Sequence, residues 1–317
     1  MGITKQHIHV FCMEQARHSV IRGDVLTLGQ QTVFATQAQV ESIIARYKQI
    51  DPKPLPAGFD TAMKIAGGVP NSTNADTVLT LLGAESVYVT DVSAYESPDF
   101  VFDLNEPVDP VYHERFDTVL DVGTLEHVFD TAVALDSIRR MVKPGGSVVL
   151  VNPSSNVMDH GFYSISPTLY WDYFSANGFS DMCCYLIAGS TRGKARLFRY
   201  HGVECRWGLE VPMTSSSGIE IAFTARKSLD GGSREAVKPM QSLYTETESW
   251  QGGLTEDNSP PALLTTKQRI ERLMGDRKVL REAIARRMVA ARRAVVPPGL
   301  LRYGHGTGSK LEYLGRY

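Results

Sequence analysis

The sequence is short of several things. It has four cysteines, Cys12, Cys183, Cys184 and Cys205, and none stands in the C-x-x-C spacing of a structural metal site. Cys183 and Cys184 are neighbours in an apolar run, which predicts core thiols of a reduced, cytosolic protein. No apolar stretch approaches the roughly 20 residues of a membrane span. The opening "MGITKQHIHVFCMEQARH" has no long apolar core of the kind a signal peptide carries, and Gln6 stands where a myristoylation signal has Ser or Thr. Excess charge of one sign is missing too: the net charge is −2, so no global field draws the chain to nucleic acid. No internal repeat is visible.

What is present is enough for a large core. The chain has 317 residues, 43% of them hydrophobic, which suits one large domain with an appendage. Apolar strand-like runs alternate with helical patterns. "DVLTLG" (24–29) reads as a strand, and 36–48 as a helix capped by Thr36. Residues 51–72, with three prolines before Pro70, read as a loop. A helix at 74–83 leads to "ESVYVTDVS", a strand ending at Asp91, and then to "DFVFDLNEP", a short strand ending at Asp103. "RFDTVLDVG" is a strand ending near Asp121. A helix over 131–142 closes at "KPGG" before the strand "SVVLVNP". A helix near 167–177 and the strands "DMCCYLIAG" and "GIEIAFTARK" complete the pattern, which predicts a largely parallel sheet covered on both faces.

The composition changes after residue 228. Residues 229–262 are rich in Gly, Ser, Thr, Glu and Pro and read as a linker. The segment 263–317 reads as a basic helical extension. Its helix, 267–293, holds ten Lys/Arg against three acids, with apolar residues at helical spacing from Ile270 to Val289. That face fits packing on the domain or on a second copy in a homo-oligomer. The arginines form a solvated face or hold an anionic acceptor. The absence of interleaved aromatics argues against nucleic acid. The closing "GHGTGSKLEYLGRY" reads as a flexible tail.

The functional clues sit at strand ends. Parallel sheets bind ligands at the carboxyl ends of their strands, near the switch in strand order. Asp91, Asp103 and Asp121 are all predicted there. One such Asp would be a turn cap; three on successive strands point to a nucleoside-like ligand.

The stretch "FDTVLDVGTLEHVFDTAVALDSIRRMVKPGGSVVLVNP" (116–153) closely resembles the segment around the fourth strand of class I S-adenosylmethionine-dependent methyltransferases, in the branch carrying "LEHV…KPGG". "VTDVS" and "DLNEP" fall where that family places its ribose and adenine contacts. The resemblance covers roughly residues 20–228. It implies a doubly wound, Rossmann-like α/β fold of seven strands, the last antiparallel. It also implies S-adenosylmethionine lying across the carboxyl ends of the first four. The cofactor contacts implied are Gly29 and Gln31 in the first loop, Asp91 on the ribose, Asp103 and Leu104 near the adenine, and Asp121, Gly123 and Glu126 after the fourth strand.

The first loop departs from the family's G-x-G-x-G. Gly29 matches the first glycine, but Gln31 stands at the second and Val33 at the third. The Gln31 amide can donate to a carboxylate and accept from an ammonium group, so it can substitute chemically for the lost backbone approach. Two readings stay open: an active O-methyltransferase of a small molecule or glycan, and a catalytically silent, methyltransferase-like binding or scaffold subunit. For the first, His160 is the candidate general base and His127 the alternative, since imidazole titrates near neutrality. Tyr163, Tyr170 and Trp171 are core or substrate wall. No N-P-P-[YF] signature follows the fourth strand, which argues against amino groups of nucleic-acid bases. No H-x-x-x-D cluster is evident, so metal-independent chemistry is expected. A dinucleotide would need the full glycine loop.

Overall fold

The computed structural model describes residues 2–62, 71–189, 195–201, 215, 217–230, 235–241 and 311–317. The segment read as a linker is described only at 229–230 and 235–241, and the one read as a basic helix, like Cys205, lies outside the described residues. The described chain runs β1 (Gly2–Ile3), α1 (Lys5–His18), β2 (Gly23–Leu28), β3 (Thr32–Val33), α2 (Gln37–Ile44), α3 (Ala75–Leu82), β4 (Ala84–Asp91), β5 (Phe100–Val101) and β6 (Phe116–Val122). It continues with α4 (Thr131–Met141), β7 (Val142–Ser155), α5 (Pro167–Ala176), β8 (Phe179–Ala188), β9 (Arg196–Tyr200), β10 (Ile219–Lys227) and β11 (Leu311–Arg316).

Local chemistry sets most helix starts. Thr36 accepts from the Gln39 N–H while the Gln39 side chain reaches back to the Thr36 N–H, a capping box that opens α2. Asn74 caps α3 through the Thr77 N–H. Ser166 caps α5, whose first residue, Pro167, has no N–H to leave unpaired.

Nine strands form one sheet in the order β11-β9-β8-β10-β7-β6-β2-β4-β5. The neighbours from β5 through β4, β2 and β6 to β7 pair in parallel. The strand β10 is antiparallel to both β7 and β8. This is the expected α/β layout, with the late strand inserted antiparallel. The expected seven strands become nine because β9 and β11 add antiparallel strands beyond β8. The tail read as flexible thus supplies β11, whose backbone pairs with β9. The strand expected to reach Asp103 stops at Val101.

Both faces of the sheet are buried, and the period-2 alternation sorts its residues. Val25, Leu120, Val122, Val149, Val151, Cys183, Tyr185 and Ile187 join one core with α1, α2 and α3. Leu26, Leu28, Val119, Val148, Leu150, Cys184 and Leu186 join the other with α4 and α5. Adjacent Cys183 and Cys184 therefore face opposite cores, and both are buried and free, as is Cys12.

Helix α1, not anticipated from the sequence, is fastened over β8 and β10 by a buried polar knot. Glu14 accepts from the Tyr185 hydroxyl at 2.5 Å, the Thr224 hydroxyl at 3.1 Å and Arg17 at 3.3 Å. Replacing Glu14 with Ala strands two buried hydroxyl donors, each costing about 1–3 kcal/mol. Urea denaturation should show a loss of that order. A Glu14→Ala variant within about 0.5 kcal/mol of wild type, the size of an inert surface change, would show that the knot does not anchor α1.

Candidate functional site

The chain proceeds from β2 outward to β4 and β5, then returns to lay β6 and β7 on the other side of β2. The switch in direction falls between β2 and β6, and the carboxyl ends of these strands frame the site. The Gly29 N–H donates to the Thr90 carbonyl of β4 at 2.7 Å. The Thr124 hydroxyl, beyond β6, donates to the Leu28 carbonyl at 2.7 Å. These two bonds stitch the end of β2 to both of its neighbours. Gly29 has φ +75°, where a side chain would be strained, and a Cβ there would sit 3.2 Å from the Thr124 hydroxyl oxygen.

Gln31 is buried, and its amide folds back on this loop. Its Nε2 donates to the Leu28 and Gly29 carbonyls at 3.0 and 3.2 Å. Both amide protons are thereby used, so the expected donation to a ligand carboxylate is corrected: the group left to a ligand is Oε1, which is buried and unpartnered. The Thr90 hydroxyl, at the end of β4, is likewise buried without a partner.

The three strand-end acids separate in the structure. Asp91 ends β4, partly exposed, and its Oδ1 accepts from the Ser93 N–H at 3.2 Å. Asp103, two residues past β5, is exposed, and its Oδ1 accepts from the Asn105 N–H and Nδ2, both at 2.8 Å. Leu104 beside it is buried. Asp121 stands, as expected, at the carboxyl end of β6, one residue before its last, but is fully buried. Its oxygens accept from the Thr124 N–H at 2.8 Å, the Leu125 N–H at 3.3 Å and Asn152 Nδ2 at 2.6 Å. It holds the turn at Gly123, where φ is +93°, and the single 3-10 turn Leu125–His127 that follows.

Asn152 on β7 is the residue the sequence reading missed. Its Nδ2 bridges Asp121 and Glu126, at 2.6 and 2.9 Å, while its Oδ1 accepts from the Tyr170 hydroxyl at 2.5 Å. Asn152, Glu126 and Tyr170 are all buried, so Tyr170 belongs to the core rather than to a substrate wall. Trp171 is half-buried against Phe223. Burial, with the nearby Glu126 charge, pushes the Asp121 carboxyl up to about 7, and burial also raises Glu126.

The second Glu126 oxygen, Oε1, has no hydrogen-bond partner and faces two imidazoles, His160 Nε2 at 3.6 Å and His127 Nε2 at 3.8 Å. The two rings lie 5.3 Å apart, and both are partly exposed. Burial and the neighbouring His160 lower the His127 pKa. The Glu126 carbonyl accepts from the Phe162 N–H at 2.8 Å, docking the "HGFY" loop on the 3-10 turn. Gly161 is needed there, because a Cβ would come 2.8 Å from that carbonyl. Glu220 of β10, bonded to His7 of α1 at 3.0 Å, is a further carboxylate within electrostatic reach of His160. Around the mouth, Phe129 and Phe162 are exposed and packed edge to face, and the Tyr163 hydroxyl donates to the Phe129 carbonyl. The structure thus brings Glu126, His127 and His160 together past β6 and β7, with Asp91 at the end of β4 and Asp103 past β5 on the other side of β2.

A testable consequence lies in the network. The folded state holds the Asp121 and Glu126 protons more tightly than the unfolded chain, so their contribution to stability is complete below the ordinary carboxylate range. It is lost as pH rises through about 7. Asn152 hydrogen bonds oppose that loss by favouring the ionised forms. Asn152→Leu should therefore cost more stability at pH 8 than at pH 5. Equal losses in denaturation at the two pH values would show that the amide does not serve these carboxylates.

Residues 78–150 match the family model described as a methyltransferase domain. No curated protein matches the chain. Among solved structures, the chain is similar to a putative methyltransferase of Bacillus halodurans C-125, with 11% identity over 69% of this chain and 98% of that one, and a TM-score of 0.36. It is also similar to the YcgJ protein of Bacillus subtilis, with 12% identity over 70% and 99% and a TM-score of 0.35. A third is the N-methyltransferase NodS of Bradyrhizobium japonicum WM9, with 12% identity over 71% and 96% and a TM-score of 0.35. No helix among the described residues is long and apolar enough to cross a membrane. The segment 78–150 is thus similar to a methyltransferase domain.

Proposed function

We propose that the protein methylates an oxygen atom of a small-molecule or sugar acceptor, and that Glu126, His127 and His160 line the reacting centre. The observation that carries this reading is a buried carboxylate oxygen without a donor, set before two partly exposed imidazoles after β6 and β7. Structural acids satisfy both oxygens, as Asp121 does.

The residues fit the family's cofactor. Asp91, at the end of β4, offers a carboxylate for the ribose hydroxyls. Gln31 Oε1 offers a buried acceptor for the ammonium of the methionine part, and Gly29 gives close backbone approach. Asp103 and Leu104 flank the adenine side. S-adenosylmethionine supplies a methyl group made electrophilic by its sulfonium. The protein's part is to exclude water, to aim the acceptor hydroxyl, and to take up its proton as the oxygen bonds to carbon. A neutral imidazole, His160 foremost, can accept that proton. Exposed Phe129 and Phe162 offer a flat surface on which an aromatic or sugar face stacks.

The scaffold reading is favoured by one feature, the folded-back Gln31 amide, which occupies the loop where the family has glycine. Calorimetry separates the two. The wild type should bind S-adenosylmethionine, and Asp91→Ala should weaken binding roughly ten- to hundredfold for each charge-assisted bond lost, at about 1.5–3 kcal/mol apiece. An unchanged dissociation constant would move the ribose elsewhere, and no binding by wild type would favour the scaffold.

The histidines make a kinetic prediction. With an acceptor found by screening labelled methyl transfer, single-turnover rates should fall as pH drops and the imidazoles become protonated. His160→Ala should slow transfer by roughly 10²–10⁴-fold with little change in S-adenosylmethionine affinity. A His160→Ala enzyme with the wild-type rate and pH profile would remove His160 from the chemistry.

A further inference from the structure

Glu126, His127 and His160 do more than face one another. One ligand atom from each lies within 4.8 Å of the other two. The Glu126 Oε1 separations, 3.6 Å to His160 Nε2 and 3.8 Å to His127 Nε2, are too long for hydrogen bonds. They are close to the spacing of two ligands on one small cation. With metal–nitrogen and metal–oxygen bonds of about 2.0–2.2 Å, tetrahedral neighbours stand about 3.4 Å apart. The two Glu126 distances need close by only a few tenths of an ångström, and rotation of the two partly exposed rings, whose ligand atoms lie within 4.8 Å of each other, brings all three onto a common centre.

We propose that these three side chains bind a divalent first-row transition cation of the zinc class, at an open site whose remaining position faces the acceptor. The ligand set is two imidazoles and one carboxylate, the composition of catalytic rather than closed structural sites. The burial pattern agrees. The carboxylate oxygen is buried and unpartnered, a costly state that a cation relieves, while both rings reach partly into solvent, where an ion enters. The supporting shell is also built. Asn152 holds the other Glu126 oxygen, Tyr170 and Asp121 hold Asn152, and the Phe162 N–H fixes the Glu126 backbone.

What the ion does rests on the methyl-transfer reading; that it binds does not. A hydroxyl of the acceptor coordinated at the open position loses its proton to solvent more readily than a free one. The resulting oxygen bonds to the transferred methyl carbon as the carbon–sulfur bond breaks. In the loaded protein the histidines are ligands, and the acid-side fall in rate then reports protons competing with the ion for the rings. Sensitivity of transfer to a chelator distinguishes this from an imidazole acting as base.

The test uses the full chain, stripped with a chelator and titrated with Co²⁺ by visible absorption, then with Zn²⁺ in competition. One equivalent should bind and give the absorption of low-coordinate cobalt. His127→Ala and His160→Ala, at partly exposed positions that the core does not need, should each weaken the affinity roughly tenfold or more. Glu126→Gln should do the same if its thermal unfolding matches wild type. S-adenosylmethionine binding is measured on the stripped protein in parallel. Loss of metal binding with retained cofactor binding would overturn the metal site alone, and the reverse result would overturn the methyl-transfer reading alone. Cobalt that fails to bind, or that binds both histidine variants as it binds wild type, overturns the proposal.

Discussion

The Asn152 amide sits between two carboxylates that the fold buries. Its two protons go to Asp121 and Glu126, and its carbonyl takes the Tyr170 proton. Three parts of the chain meet there: β7 supplies the amide, α5 the phenol, and the end of β6 with the turn after it the two acids. Asp121 spends its remaining capacity on the Thr124 and Leu125 N–H groups and so shapes the turn. Glu126, held by one oxygen, is left with the other turned toward His127 and His160. If the amide were lost, the acids would repel, the turn would loosen, and the unpartnered Glu126 oxygen would have no fixed place.

The same logic governs the other half of the site. Where a parallel sheet changes direction, the strand ends separate and leave a crevice. Here the Thr124 hydroxyl and the Gly29 N–H tie β2 to its neighbours, and the Gln31 amide caps the end of β2. This loop has traded glycine backbone for a side chain that is itself hydrogen-bonded into place. Gln31 Oε1 and the Thr90 hydroxyl, the latter next to Asp91 at the end of β4, are both buried and unpartnered. Unpartnered acceptors of this kind are costly in a folded chain, and they are positions a bound ligand can satisfy.

The alternation of apolar strands with capped helices made the fold legible in sequence. Thr36 and the "ESVYVTD" strand appear where their patterns place them. Helix α1 was not legible, because its buried face carries His7, His9 and Glu14, whose partners on β8, on β10 and just past α2 lie far away in sequence. The edge strands β9 and β11 pair across more than a hundred residues, beyond any local signal. Within the site, Asp91 was readable from its strand end. Asp121 was not, since position alone does not tell a carboxylate turned inward from one turned to the ligand. Asn152 carries no motif, and its weight comes from three partners 18 to 31 residues away. The pairing of His127 with His160 likewise waited on the Gly161 contact that folds one loop onto the other.

The central claim is that the loop Gly29–Gln31, the end of β4 and the Glu126 cluster form one cofactor site. A crystal structure with S-adenosylhomocysteine tests it most directly. Density should lie across the carboxyl ends of β2 and β4, with the ribose on Asp91, the ammonium against Gln31 Oε1, and the sulfur directed toward Glu126 and the two histidines. Density elsewhere on the chain, or a ligand-soaked crystal in which the Gln31 amide still closes an empty crevice, would contradict it.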